Sequence, residues 1–214
     1  MSEPKTASVT NSARPARRLN ARAMAMCAML AAVAFVLMFL DFSVPFIPAF
    51  VKMDFSELPA LIATFSLGPV SGVVVCLLKN VLHILIKGTS SACVGELGNF
   101  LLGVCLVVPA GLIYKKEHGR KGALIACLVG AAAMGLLSVP INYFITYPAY
   151  VKFYGLPLDA IIGMYQQILP SANGLLGCLV IFNLPFTFVK GLCDAILTFL
   201  VYKRISPFLK GKQD

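Results

Sequence analysis

The segment that decides the fold is AMAMCAMLAAVAFVLMFL, residues Ala23 to Leu40, which is apolar on every side. A helix that spans a bilayer needs about 20 apolar residues, whereas a strand of an outer-membrane barrel alternates apolar and polar residues over about ten. The run therefore predicts a membrane-spanning helix and excludes a barrel. Because the apolar core of a signal peptide is usually about 7–15 residues long, we interpret the run as a retained first span.

The whole chain has the composition of a membrane protein. Of its 214 residues, 59% are hydrophobic and 13% are charged, and the mean hydropathy is +0.86. A soluble domain is about 25% charged. At about 20 residues a span, the length accommodates about six helices with short loops and no separate soluble catalytic domain. We expect an all-α integral membrane protein with six transmembrane helices, at residues 19–40, 55–67, 70–87, 93–114, 122–143 and 178–202.

Three regions divide the chain around these spans. Residues 1–18 are predicted to form a disordered basic cytoplasmic arm, residues 19–206 the six-helix membrane domain, and residues 207–214 a cytoplasmic tail. The loop 41–54 contains Phe42, Phe46 and Phe50 and is too apolar to be simply solvated, so we expect it to fold over another part of the molecule. A long external segment is expected at 146–171, with a short interfacial helix over 158–168.

The basic residues predict the orientation of the chain. Most of the 18 lysines and arginines lie in the N-terminal arm, in the hydrophilic gap after the fourth span and at the C-terminal end. The loops on the other side carry only Lys52, Lys87 and Lys152. By the positive-inside rule both termini are cytoplasmic, which requires an even number of crossings. The net charge of +9 thus indicates orientation and not binding of nucleic acid.

The sixth predicted span carries a stripe of polar residues. Asn183, Thr187, Lys190 and Asp194 are spaced four, three and four apart, which places them on one helix face. Ionisable side chains inside a membrane cost at least a few kcal/mol, so such a stripe is a candidate site. An alternative is that Lys190 and Asp194 neutralise each other and merely hold the bundle together. Because that leaves Asn183 and Thr187 unexplained, we favour a stripe that faces a ligand.

Two other spans bring polar residues to a similar depth. Glu96 and Asn99 lie on one face at the start of the fourth span, and Asn142 lies in the fifth. Amide, carboxylate, hydroxyl and ammonium groups at one level suit a neutral polar ligand. Glu96 alone would also suit an ordinary helix N-terminus. In the third span Lys79 needs a carboxylate or water, and we expect a structural role for His83.

Sequence motifs of catalysis and metal binding are missing. The chain has no phosphate-binding loop, no H-E-x-x-H and no G-x-S-x-G, and its seven cysteines include no C-x-x-C pair. We predict no catalytic residues, no metal site and no cofactor. Two alternatives stay open: a proton-coupled secondary transporter of a small neutral nutrient, and an intramembrane enzyme, for which no nucleophile and base are recognisable.

Four stretches resemble the riboflavin-specific S-components of energy-coupling factor (ECF) transporters. They are KMDFSELPAL at 52–61, LKNVLH at 78–83, GELGNF at 95–100 and NLPFTFVKG at 183–191. The resemblance covers about residues 20 to 205. It implies a multi-pass protein of a prokaryotic cell membrane that captures riboflavin outside. Delivery inward would require a transmembrane coupling subunit and two ABC-type ATPases.

The resemblance also implies roles for individual residues. Glu96, Asn142 and Lys190 would hydrogen-bond the flavin, and the family pattern has Asn at the position of Thr187. The Ala28 and Ala32 face would contact the coupling subunit. Independently of the resemblance, the apolar residues of the first loop indicate that it could close over the ligand and exclude water. An S-component for another flavin, such as flavin mononucleotide, stays open as an alternative, because Lys52 or Lys152 near the outer face could meet its phosphate. The predicted ligand-binding residues are Glu96, Asn99, Asn142, Asn183, Thr187, Lys190, Phe46 and Phe50, and the predicted docking residues are Ala21, Ala25, Ala28 and Ala32.

Overall fold

A computed structural model describes residues 21–45, 47–48, 51–89, 91–172 and 174–210, with backbone only at 120 and 203–210. The predicted arm at 1–18 lies outside the described residues, as do Phe46 and Phe50. The last helix runs to residue 210, so the described part of the predicted tail is helical.

Helices form most of the described chain. In order they are α1 (Ala21–Phe39), α2 (Glu57–Leu67), α3 (Pro69–Lys87), α4 (Val94–Lys116), α5 (Arg120–Ile141), α6 (Tyr147–Ala149), α7 (Leu158–Gln166), α8 (Gly174–Cys178) and α9 (Leu184–Lys210). Three single π-helical turns connect or extend these helices. The turn at Asn142–Thr146 joins α5 to α6, the turn at Tyr150–Tyr154 extends α6, and the turn at Leu179–Asn183 joins α8 to α9. Between α1 and α2, β1 (Phe42–Ser43) pairs antiparallel with β2 (Lys52–Met53).

Five helical segments are long and apolar enough to cross a membrane: Ala21–Phe39, Pro69–Lys87, Val94–Lys116, Lys121–Tyr154 and Gly174–Tyr202. The predicted helical membrane protein is therefore confirmed. The short helix α2, of 11 residues, occupies the second predicted span. Whether it completes six crossings, with both termini cytoplasmic, stays a prediction. Gly68, at φ 107°, makes the turn before Pro69 begins α3.

The helical segment Lys121–Tyr154, which corresponds to the fifth predicted span, is longer than predicted. Residues 146–154, expected in an external segment, continue the helix to Tyr154, and only α7 stands apart where the short helix was expected. The last helical segment likewise begins at Gly174, before the predicted start at 178. Pro140, Pro148 and Pro185 lie next to the π turns. Proline removes an N–H and crowds the carbonyl four residues earlier, and a wider turn accommodates this without ending the helix.

Two clusters of buried apolar side chains hold these elements together. The larger packs α1 to α5 against α9 and includes Leu61, Val75 and Leu106, and the smaller packs α7 against α6 and α8 around Tyr165. The helices α5 and α9 approach closely because Gly135 faces Phe188. A Cβ added at Gly135 would lie 2.9 Å from the Phe188 Cβ.

Candidate functional site

A cavity of about 680 Å³ is bounded by both clusters and by the loop between α1 and α2. Its walls come from α1 to α7, from α9 and from all three π turns, elements that are distant in sequence. Small-molecule sites have volumes of about 300–1,000 Å³ and combine apolar walls with a few polar groups. The cavity therefore has the size of a site for a small organic molecule.

The structure brings six of the predicted ligand-binding residues to this one cavity. They are Glu96, Asn99, Asn142, Asn183, Thr187 and Lys190. The side chains come from α4, from the π turns at Asn142–Thr146 and Leu179–Asn183, and from α9. Their convergence on one cavity follows from the packing of α5 against both α4 and α9. That they bind a ligand stays a prediction.

Three of these residues are hydrogen-bonded to neighbours: Lys190, described below, and Glu96 and Asn183. The Glu96 Oε1 lies 3.2 Å from His83 Nδ1. The Asn183 Oδ1 accepts a hydrogen bond from the Tyr165 hydroxyl at 2.6 Å, and its Nδ2 donates to the Tyr147 oxygen at 3.4 Å. These contacts fix the orientation of the Glu96 carboxylate and the Asn183 amide before any ligand is bound. His83, for which a structural role was expected, thus contacts the predicted site residue Glu96.

Three other predicted residues have polar groups without partners. The buried Asn99 Oδ1 has no hydrogen-bond partner in the described structure. The side chains of Asn142 and Thr187, buried at 7% and 4% exposure, form no hydrogen bond to another described residue. Because all three residues line the cavity, a ligand there could supply the missing hydrogen-bond partners. Such contacts are favourable, since an unsatisfied buried polar group costs about 1–3 kcal/mol.

A buried ionic network lies along one side of the cavity. Lys190 Nζ donates to Asp54 Oδ2 at 2.7 Å, and the backbone N–H of Ser56 donates to Asp54 Oδ1 at 2.9 Å. The Ser56 hydroxyl also donates to Asp54 Oδ1. Lys79 Nζ lies 2.7 Å from Ser56 Oγ and 2.5 Å from Glu57 Oε1. Lys79 thus has the carboxylate partner that its place in an apolar span requires.

This network corrects the alternative interpretation of the last helix. Within the described structure, Lys190 is paired with Asp54, and no ion pair joins it to Asp194. Asp194 is fully buried, its two carboxylate oxygens have no partner among the described residues, and it does not line the cavity. Of the predicted stripe, Asn183, Thr187 and Lys190 reach the cavity.

Asp54 and Glu57 line the cavity but were not among the predicted site residues. Two lysines buried in apolar helices require carboxylates, and the stretch KMDFSELPAL contains two, so charge balance was a signal that pointed to them. Burial alone would raise the pKa of the Asp54 carboxyl. The charges of Lys190 and Lys79, and the hydrogen bonds from Lys190 and Ser56, outweigh burial and lower that pKa.

A second group of charges lies at the exposed end of the cavity. Asp41 Oδ2 lies 2.6 Å from Lys52 Nζ and Asp41 Oδ1 lies 3.7 Å from Lys87 Nζ, so the hairpin contacts the end of α3. Partial burial would raise the pKa of Asp41, but the hydrogen bond and charge of Lys52 and the charge of Lys87 lower it. Exposed pairs of this kind contribute little to stability, and their main effect is to place two ammonium groups beside the opening.

Aromatic and apolar side chains form the remaining walls. Leu102 and Met134 lie on α4 and α5, Phe186 on α9, and Tyr147 and Tyr150 follow the first π turn. The tyrosines reach the cavity because the helix continues past residue 146. That continuation was not predicted, so their place in the wall was not predicted either.

The predicted docking residues lie elsewhere on the molecule. Ala21, Ala25, Ala28 and Ala32 are all exposed on α1, and none of them lines the cavity. Small residues at four-residue spacing permit close helix contacts in lipid. Their role in docking stays a prediction.

Comparisons with known proteins identify the family. The model of the ECF transporter, substrate-specific component, matches residues 22–202. The riboflavin transporter RibU of Staphylococcus aureus (strain TCH60) is 37% identical over 186 residues, which cover 85% of this chain and 89% of that protein. The riboflavin transporter FmnP of Bacillus subtilis (strain 168) is 32% identical over 196 residues, which cover 91% of this chain and 97% of that protein.

A solved structure has the same fold. It is that of the S component of a bacterial ECF transporter, with a TM-score of 0.68 and 32% sequence identity. The superposition covers 89% of this chain and 98% of the other. The chain therefore belongs to the substrate-specific components of ECF transporters.

Proposed function

We propose that this chain binds riboflavin in the cavity between α4, α5 and α9 and is the substrate-capturing subunit of an ECF vitamin importer. The observation that carries the proposal is the convergence of polar side chains from three distant segments on one cavity of about 680 Å³. The resemblance of the sequence to riboflavin transporters over most of its length supports the choice of ligand.

The chemistry of the cavity suits this ligand. Riboflavin has a flat tricyclic ring, an imide edge and a hydroxylated chain, and it therefore needs apolar walls and several hydrogen-bonding groups. Leu102, Met134 and Phe186 supply apolar surface. Lys190 supplies a donor, and Asn142 supplies both a donor and an acceptor. We assign Glu96, Asn142 and Lys190 to the flavin, with Asn99, Asn183 and Thr187 beside them.

The proposed role is binding and delivery, without catalysis. Riboflavin is the transported ligand and no cofactor takes part. Capture takes place outside the cell, and delivery requires the coupling subunit and the two ATPases of the complex. The exposed alanine face of α1 supplies the surface for the coupling subunit, and the loop between α1 and α2 covers the ligand.

Direct titration tests the ligand. Riboflavin fluorescence is expected to be quenched stoichiometrically by purified protein in detergent. Absence of quenching at micromolar riboflavin contradicts the proposal. A parallel titration with flavin mononucleotide tests tolerance of a phosphate, since Lys52 lines the cavity and Lys152 is not among its lining residues.

Reconstitution tests the mode of transport. Riboflavin uptake into proteoliposomes is expected only when the coupling subunit, both ATPases and ATP are present. Uptake by this chain alone, driven by an imposed pH gradient, would instead support a proton-coupled secondary transporter.

A further inference from the structure

A continuous series of hydrogen bonds connects α3 to α9 through two residues that precede α2. Lys79 on α3 contacts Ser56, Ser56 contacts Asp54, and Asp54 accepts from Lys190 on α9. Ser56 and Lys79 are fully buried, and neither lines the cavity. Asp54 and Lys190 do line it. The series therefore leads from side chains without access to the cavity to the ammonium group that we assign to the flavin.

The direction of each hydrogen bond in the series is fixed by chemistry. A lysine ammonium only donates, so the Ser56 oxygen must accept from Lys79. Ser56 has a single hydroxyl proton, and with its oxygen accepting from Lys79 that proton is directed to Asp54 Oδ1. The second carboxylate oxygen, Oδ2, is left for Lys190. Lys79 thus determines which way the Ser56 hydroxyl donates, and Ser56 holds the Asp54 carboxylate in the orientation in which its other oxygen faces Lys190.

The charges of the network make this arrangement specific. Lys79 is paired with Glu57, and Lys190 with Asp54. A lysine side chain has a flexible four-carbon stem and can place its ammonium in several positions. Inside an apolar bundle the position beside an ionised carboxylate is strongly favoured, because an unpaired buried charge is costly. The location of the Asp54 carboxylate therefore sets the location of the Lys190 ammonium.

We propose that Ser56 and Lys79 are positioning residues for the ligand: they hold the Asp54 carboxylate so that the Lys190 ammonium meets the flavin in one fixed place. The inference rests on the proposed function, because it assigns Lys190 to the flavin. It goes beyond that function by giving two residues outside the cavity a measurable part in affinity.

The test uses Ser56→Ala, which removes the hydroxyl without changing the charge. We expect riboflavin affinity to fall about three- to tenfold, the effect of losing one ordinary hydrogen bond, because Ser56 acts on the ligand only through Asp54 and Lys190. Ser66→Ala is the matched control, since Ser66 lies on α2 and its hydroxyl has no hydrogen-bond partner in the described structure. The control should bind riboflavin as the unaltered chain does.

A double-mutant cycle separates positioning from a general structural effect. If Ser56 acts through Lys190, then Ser56→Ala added to Lys190→Met should change riboflavin affinity by no more than about twofold further, because interacting residues are not additive. A second cycle with Asp54→Asn should be non-additive in the same way. This second cycle leaves Lys190 in place, so binding remains measurable if Lys190→Met binds too weakly.

The outcomes distinguish this inference from the proposed function. The positioning role is overturned if Ser56→Ala lowers riboflavin affinity equally in the unaltered, Lys190→Met and Asp54→Asn backgrounds. It is also overturned if Ser56→Ala as a single substitution causes no loss. Neither result affects the proposed function. If the unaltered chain binds no riboflavin, the proposed function fails and the positioning role fails with it. Non-additivity in both cycles, with Ser66→Ala unchanged, supports the positioning role.

Discussion

At the scale of single residues, the site contains side chains in two different states. Glu96, Asn183 and Lys190 are already hydrogen-bonded to neighbours, whereas Asn142 and Thr187 have no partner in the described structure. Replacing a residue of the first group disturbs the protein and the ligand contact together. Replacing one of the second group removes only the ligand contact, so these residues give the clearest tests of binding.

Thr187→Val should weaken riboflavin binding while leaving stability unchanged. The two side chains have nearly the same shape, and losing one hydrogen bond to the ligand costs about 0.5–1.5 kcal/mol, or about two- to tenfold in affinity. Thr64→Val is the control, because Thr64 is also buried but donates to the Ala60 carbonyl at 2.8 Å, outside the cavity. Fluorescence titration measures affinity. Equal affinity in Thr187→Val and the unaltered chain would remove Thr187 from the site.

Lys190→Met should lower stability as well as affinity. It leaves the buried carboxylate of Asp54 without its cation, and breaking a buried ion pair from one side costs about 3–5 kcal/mol. The double variant Lys190→Met with Asp54→Asn removes both charges and should be more stable than the single variant. Size-exclusion chromatography after heating measures this difference. A double variant as unstable as Lys190→Met would contradict the pairing with Asp54.

Asp194→Asn should retain or increase thermal stability. An ionised carboxylate with no partner is costly inside a protein, and both oxygens of Asp194 are buried without a partner among the described residues. Asparagine has a similar shape and no charge. The same heating assay compares it with Asp54→Asn, whose carboxylate is paired and which should be less stable than the unaltered chain. A large loss of stability in Asp194→Asn would mean that its charge is needed.

Much of the site could be predicted at this scale, because ionisable and amide groups are conspicuous in apolar helices. Asn142, Asn183 and Lys190 were predicted for that reason, and all three reach one cavity. The partner of Lys190 could not be read from helical spacing, which favoured Asp194 four residues away. Asp54 is 136 residues distant in sequence, and only the packing of the first loop against α9 brings the two together.

At the scale of helices, hydropathy located the spans but not their continuation. Pro140 and Pro148 are residues that usually interrupt a helix, and the predicted end of the fifth span near residue 143 reflects that rule. The chain instead forms π turns at Asn142–Thr146 and Tyr150–Tyr154. A π turn depends on the contacts of the whole bundle, and it has no reliable sequence signature. The tyrosines of the cavity wall were missed for this reason.

The contact between α5 and α9 makes a prediction at the same scale. Gly135→Ala should separate the two helices beside Thr187, because its Cβ would lie 2.9 Å from the Phe188 Cβ. Overpacking of this kind costs about 1–3 kcal/mol, and riboflavin affinity should fall with it. Gly163→Ala in α7 is the control, since a Cβ there meets no atom within 4 Å. Heating and titration compare the two, and a tolerated Gly135→Ala would contradict the close approach.

At the scale of the whole molecule, the basic residues and the cavity define two different ends. Lys115 and Lys116 end α4, whereas Glu96 near its beginning lines the cavity. A helix of 23 residues is long enough to cross the hydrocarbon core, because it rises about 1.5 Å per residue. We therefore predict that the cavity and the basic gap after α4 face opposite sides of the membrane. By the positive-inside rule we expect the gap in the cytoplasm and the cavity toward the outside.

Cysteine labelling in intact cells tests this orientation. Lys52→Cys, beside the cavity opening, should react with a membrane-impermeant maleimide, whereas His118→Cys, in the basic gap, should react only after the cells are lysed. Both are made with the exposed Cys93 replaced by serine, and that background alone serves as the blank. Capture of a nutrient from outside requires the cavity to be reachable there before the ATPases act. If His118→Cys but not Lys52→Cys were labelled in intact cells, the orientation would be the opposite of the predicted one, and capture from outside would be excluded.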